Sequence, residues 1–228
     1  MNHLYALIGF CVILICSPGC EREITQHIRR DIAGKNTFAL GEQIWRSSLL
    51  DTDHFLNGDQ IPQAQSVKEW EEAGRLNKPA WCYANDDEQS CKLYNWHAVI
   101  DTRGIIPIGW HMPSLQELEY VMKLLYTLNH LDAHDQDIST SYPVGYSYEH
   151  YYKDGIQVRY SLPFLYHGHR FGNGNFKGQN NIGVCWTKEP LDSMTKRIPA
   201  FAQVKEKKQL YMIASHPANG LAVRLLKD

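Results

Sequence analysis

Gly109-Trp110-His111-Met112-Pro113-Ser114, running on into Leu115-Gln116-Glu117-Leu118-Glu119-Tyr120-Val121-Met122-Lys123-Leu124-Leu125-Tyr126-Thr127-Leu128, is the stretch that decides the fold. Pro113 halts whatever extended segment precedes it. Ser114 and Glu117 then stand three apart as a capping box, in which a hydroxyl and a carboxylate satisfy the first free amides of a helix. Leu115, Leu118, Val121, Met122, Leu125 and Leu128 recur every three or four residues, so they form one apolar stripe and predict a helix that packs on a core through that face.

The segments before this helix read as short strands and turns. Phe38, Leu40 and Gln43 to Trp45 make a strand pattern, and Asn57-Gly58 in Phe55 to Ile61 is a strong hairpin-turn pair. Ser66-x-x-Glu69 is another capping box and opens a short helix through Trp70 and Ala73, expected to stop at Gly74 or before Pro79. The runs Ala80 to Ala84 and Lys92 to Val99 flank an acidic turn, Asn85-Asp86-Asp87-Glu88. After the helix comes a long polar stretch, His130 to Tyr152, with neither helical nor strand period; loops of that length in a compact domain are functional or disordered. The last third reads as strands at Ile156 to Phe164, Ile182 to Thr187, Ala200 to Val204, Leu210 to Ala214 and Leu221 to Leu226. Strands and helices in this order, without alternation, make an α+β domain rich in loops.

Residues 1–19 read as a signal peptide. Leu4 to Ile15 is apolar and is followed by Ser17, Pro18, Gly19 and Cys20. A run of about twelve residues spans only about 18 Å as a helix, too short for a hydrocarbon core of about 30 Å. The small residues before Cys20 look like the cleavage box of bacterial lipoproteins, after which Cys20 carries the lipid. Residues 20–35 are polar and serve as a tether, and the domain is expected over 36–228. The expectation is an exported protein, lipid-anchored to the cell envelope at the outer membrane or cell surface.

With 43% hydrophobic and 11% aromatic residues the chain has material for one folded core, and its net charge of −2 provides no basic face for nucleic acid. Beyond Cys20 stand Cys82, Cys91 and Cys185, enough in an oxidising compartment for one disulfide and one thiol. Cys82 and Cys91 are symmetric about Asp86-Asp87; if that pair is a hairpin tip they face each other and can be bridged, while a Cys82–Cys185 bridge is the rival.

Six blocks in order resemble the Fibrobacter succinogenes major paralogous domain. They are Gly41-Glu42-Gln43-Ile44-Trp45, Asn57-Gly58-Asp59-Gln60-Ile61-Pro62, Pro79-Ala80-Trp81-Cys82-Tyr83, Leu93-Tyr94-Asn95-Trp96-His97-Ala98-Val99, Gly109 to Ser114, and Gly220-Leu221-Ala222-Val223-Arg224. The resemblance implies a C-type-lectin-like core, shared with formylglycine-generating enzymes, with loop-rich antiparallel sheets and two main helices. This chain departs from the family pattern in three places. It has Leu225 where members often carry a cysteine after Val-Arg, Cys185-Trp186-Thr187 for Trp-Ser-Ser, and Cys91 for a glycine, so the usual partner of Cys82 is missing.

Enzyme readings are weak on these residues. The oxidases of the related fold use a close cysteine pair near the chain's end, and no cysteine follows Cys185. Cys185 with His167 or His169 as base could form a nucleophile pair, but a cysteine beside Trp186 in a strand reads as a small core residue. His130, Asp132, His134, Asp135 and Asp137, like His167-Gly168-His169, lack a recognised metal-ligand spacing, so no metal and no cofactor is expected. Trp45, Trp81, Trp96, Trp110 and Trp186 lie in apolar runs and read as core. Tyr142, Tyr146, Tyr148, Tyr151 and Tyr152, with His150 among them, crowd a stretch without period; stiff amphipathic rings in that setting are the candidate ligand-binding surface. The expected function is a non-catalytic binding or adhesion module for an extracellular glycan or protein, with a structural accessory subunit of an envelope assembly as the alternative.

Overall fold

The computed structural model describes residues 37–130, 166–206 and 210–228. The signal segment, the tether with Cys20, the Tyr-rich loop of Tyr142 to Tyr152 and the strand expected at Ile156 to Phe164 lie outside the described residues. Elements run in the order β1 (Thr37–Leu40), β2 (Gln43–Arg46), α1 (Val67–Arg75), β3 (Trp81–Tyr83), β4 (Lys92–Tyr94), α2 (Trp96–Val99), β5 (Trp110–His111) and α3 (Leu115–His130). They continue with β6 (His167–Arg170), β7 (Phe176–Gln179), β8 (Ile182–Trp186), β9 (Ile198–Val204), β10 (Leu210–Ser215) and β11 (Leu226–Lys227). One sheet is four-stranded in the order β1-β2-β11-β5, a second is five-stranded in the order β10-β9-β8-β6-β7, and β3 pairs with β4 alone. Neighbours are antiparallel except β6 and β8. The architecture is mixed α+β with three helices among the described residues.

Side chains alternate across a strand, and here the alternation sorts the interior into two cores. Trp81, Tyr94, Val184, Trp186, Ala200, Ala202, Leu221 and Val223 face one. Their neighbours Cys82, Leu93, Cys185, Phe201 and Ala222 face the other, with Trp45, Trp70 and the α3 residues Leu118, Val121 and Leu125. Burying each Leu or Val of α3 contributes about 1.5–3 kcal/mol, which outweighs what capping can supply.

The segment from Gly220 onward holds the sheets together. Gly220 bonds Arg170 through both backbone groups, Leu221 bonds Tyr94 the same way, and Ala222 sits beside Cys185 of β8. Further on, Leu50 and Arg46 donate to the carbonyls of Val223 and Leu225, and Leu226 pairs with both Trp45 and His111.

Both capping boxes form. Ser114 Oγ accepts from Glu117 N at 3.2 Å, and Ser114 N donates to Glu117 Oε2 at 2.7 Å. At α1, Ser66 Oγ accepts from Glu69 N, while the Glu69 carboxylate reaches back to Gln65 N. Gly74 does not end this helix: it lies inside α1, and a Cβ there would come within 2.7 Å of Ala218 Cβ. The turn to non-helical backbone comes at Asn77, with φ +53°.

The hairpin register is displaced from the symmetric one. Cys82 pairs with Leu93 and Tyr83 with Lys92, and Ala84 N donates to the carbonyl of Cys91, so Cys82 does not face Cys91. Two successive left-handed residues, Asn85 (φ +59°) and Asp86 (φ +56°), take up extra chain on one arm and move the tip to Asp87 and Glu88. Among the described residues, Cys82, Cys91 and Cys185 stand as free thiols. The Asn57-Gly58 turn closes as expected, with Gly58 at φ +90° and Phe55 N bonded to Asp59 O, but only the single bridge His54 to Gln60 flanks it.

Candidate functional site

Three segments far apart in sequence meet beside α1 to form an open groove of about 860 Å³. Trp70 fixes the helix: its ring is buried, and its Nε1 donates to Phe171 O at 3.0 Å. With Trp70 inward, Lys68, Glu71, Glu72 and Arg75 line the groove from the other side of the helix. The second wall is the turn 171–175, closed by hydrogen bonds from Phe171 N to Asn175 O and from Gly174 N to Phe171 O. The third is the turn 215–219, where Asn219 N donates to His216 O and Ala218 N to His216 Nδ1 at 3.2 Å.

These walls are locked to one another. Gly172 N donates to Asn219 Oδ1 at 2.9 Å, and Asn219 Nδ2 donates to Ser215 Oγ at 3.0 Å. Ala218 fills the space left by two missing side chains, since a Cβ on Gly74 would lie 2.7 Å from its Cβ and one on Gly172 3.1 Å. Arg170 stiffens the 171–175 turn from below. Fully buried, it donates Nε–H to Gly174 O at 3.0 Å, and its guanidinium lies 5.1 Å from the Trp70 ring centre, 4.7 Å from that of Phe176 and 3.7 Å from Asp86 Oδ1.

His216 accepts a hydrogen bond at Nδ1, so its neutral form carries the proton on Nε2. Burial depresses its pKa, with Arg197 nearby adding to the effect; His97 is depressed too, by burial and by His216 itself. The groove therefore offers ammonium, guanidinium, carboxylate, amide and neutral imidazole groups on a preformed frame, a set that bonds polar ligands by paired donors and acceptors.

A second polar cluster joins β5, α3 and the end of the sheet. His111 lies between two carboxylates, with Nδ1 2.7 Å from Asp228 Oδ1 and Nε2 2.8 Å from Glu117 Oε1. Burial resists ionisation of Glu117, yet the bonds from Ser114 and His111 outweigh it and hold its carboxyl down at about 2. Both ring nitrogens of His111 are thus committed to linking elements.

The residues singled out in sequence distribute as follows. His167 is buried with Nδ1 on Gly168 O at 2.8 Å, and His169 stands edge-on to Phe171 at 4.7 Å. Cys185 is buried, and burial pushes its thiol up to about 12. Trp45, Trp81, Trp96 and Trp186 are core, and Trp110 packs partly against it. No group of three or more His, Cys, Asp or Glu is placed to hold a metal among the described residues. The Tyr142–Tyr152 candidates and Cys20 lie outside the described residues. The groove itself was missed: Lys68 to Arg75, Asn173 and His216 carry no shared motif. The one available signal was the pair Gly74 and Gly172, neither of which has the positive φ that would explain a glycine.

No described helix is long and apolar enough to cross a membrane. A family model described as the Fibrobacter succinogenes major domain matches residues 39–227. None of the curated proteins and none of the solved structures matches this sequence.

Proposed function

Because the chain belongs to the Fibrobacter succinogenes major domain family, we propose that it is a non-catalytic recognition or adhesion module, held outside a bacterial cell by a lipid on Cys20. The mixed α+β arrangement is compatible with a C-type-lectin-like core, the finer fold we assign to it. The observation that carries the reading is the groove beside α1. Its frame is tied by backbone and amide hydrogen bonds, while Lys68, Glu71, Glu72 and Arg75 make no ion pair among the described residues. Charged groups left unpaired on a rigid frame suit a hydroxyl-rich glycan or a polar protein loop. The Tyr142–Tyr152 segment, with Tyr142, Tyr146, Tyr148, His150, Tyr151 and Tyr152, supplies a second contact surface of stiff rings.

A glycan-array and cell-binding assay on the full chain tests this. Lys68→Ala with Arg75→Ala and Asn173→Ala, and separately Tyr148→Ser with Tyr151→Ser and Tyr152→Ser, are each expected to weaken binding by about 10- to 100-fold without unfolding the domain. Unchanged binding in both triple variants, or no binding partner for the parent, would overturn the recognition role and favour an accessory subunit of an envelope assembly.

The anchor has its own test. Cys20→Ser is expected to move the protein out of the membrane fraction and to abolish labelling by a fatty-acid analogue. Equal labelling of variant and parent would show that Cys20 is not the acceptor.

A further inference from the structure

We propose that Cys82, Cys91 and Cys185 all remain thiols in the native protein, and that folding is redox-sensitive because any disulfide among them is incompatible with the sheet. The argument rests on register. Cys82 faces Leu93 on the adjacent strand, Tyr94 pairs with Leu221, and Ala222 lies beside Cys185. Cys82, Leu93, Ala222 and Cys185 therefore stand in that order across four neighbouring strands, all turned to the same core. Strands are about 4.8 Å apart, so Cys82 and Cys185 are separated by about 14 Å. Cys91 faces Ala84 and is a diagonal neighbour of Cys82, a relation that puts Cα atoms about 7–8 Å apart. Cys91 and Cys185 lie on opposite sides of the 221–223 segment, at least two strand spacings or about 10 Å from each other. A disulfide needs Cα atoms within about 6.8 Å, and none of the three pairs meets it without breaking the ladder.

The surroundings of the sulfurs favour the thiol. Burial raises Cys82 to about 11, against the pull of Arg170 beside it, and raises Cys91 and Cys185 to about 12, the latter despite Arg224. At neutral pH burial keeps Cys82 as the thiol, and since the thiolate is the attacking species, exchange is slow once the core has closed. The vulnerable state is the unfolded one. There two cysteines can exchange with a small disulfide such as oxidised glutathione: one thiolate attacks it and expels one glutathione, a second protein thiolate resolves the mixed disulfide and expels another, and two thiols have become one bridge that the native register cannot hold.

The test is to prepare the exported full chain without reductant, alkylate it in denaturant, and map the peptides carrying residues 82, 91 and 185. All three are expected to be alkylated; a linked peptide joining any of them in folded protein overturns the proposal. Refolding provides a second arm. Oxidised glutathione is expected to lower the yield of native Trp fluorescence several-fold relative to reduced glutathione, with the yield restored when reductant is added. Equal yields in the two buffers, with the bridge present in the folded fraction, would equally overturn it.

Discussion

Trp186→Ala is expected to lower the unfolding free energy by about 3–5 kcal/mol, the range for losing a fully buried Trp. The indole has no exposed surface, packs against Trp96 with ring centres 5.2 Å apart and planes tilted by 55°, and donates Nε1–H to Tyr94 O at 2.8 Å. It thereby reaches from β8 to β4 over the strand that runs between them. With whole-domain stabilities of about 5–15 kcal/mol, such a loss leaves little in reserve. Trp186→Phe keeps most of the apolar volume and gives up the hydrogen bond, so it should cost a fraction of this. Urea denaturation followed by far-UV circular dichroism checks both; a loss below about 1 kcal/mol for the alanine variant would show that the ring does not tie the two strands together.

The second large effect is acid sensitivity from His167. Burial is the main cause of its depressed pKa, about 4, with the cations of Arg224 and His169 adding to it against the bond to Gly168 O. Unfolded, the imidazole takes its proton near 6.5. Between pH 6.5 and 4 the unfolded chain therefore binds more protons than the folded one, so this contribution is complete above about 6.5 and is lost as pH falls towards 4. The gap is worth about 3 kcal/mol. His97, His169 and His216, all depressed mainly by burial, act in the same direction. Glu117 works in a lower window, from its ordinary 4.5 down to about 2. Denaturation midpoints compared at pH 7 and pH 4.5 should fall less steeply in His167→Gln than in the parent, whatever the variant's stability at pH 7. Equal slopes would mean that His167 takes up its proton in the fold as readily as in the unfolded chain.

The parts of this fold that could be read in advance are those whose signal is local. The α3 stripe and the Ser114–Glu117 and Ser66–Glu69 boxes are satisfied within a few residues of themselves, so their pattern survives in the sequence. Strands β8, β9 and β10 were legible for the same reason, being apolar runs bounded by turn residues. In contrast, β6 and β7 were not, because His167-Gly168-His169-Arg170 and Phe176-Lys177-Gly178-Gln179 look like loop. Arg170 is buried there by the Trp70 and Phe176 rings and by Gly174 O, partners that no spacing announces. The hairpin tip was misplaced because Asn85 and Asp86 both take left-handed backbone, an outcome their composition permits without specifying. The groove is the extreme case: its three walls meet through Ala218, Asn219 and the Trp70 to Phe171 bond, so it exists at the level of packing alone.

Residues 220–227 also set the order in which the molecule can be built. Earlier segments present edges that have no mate until this stretch arrives: Tyr94 on β4, Arg170 on β6, Ala222's partner Cys185 on β8, Trp45 on β2 and His111 on β5. Each of those pairings closes a long loop, whose entropy must be lost before the contact repays it, and such topologies fold slowly. A chain emerging from its start could pair β6 to β10 by Ser215, but the four-stranded sheet and the joints between sheets would wait for its last residues. In the exported role we propose, late closure would keep the polypeptide threadable during transit and defer the rigid state to its destination; the cost is a period in which open strand edges invite pairing with other chains.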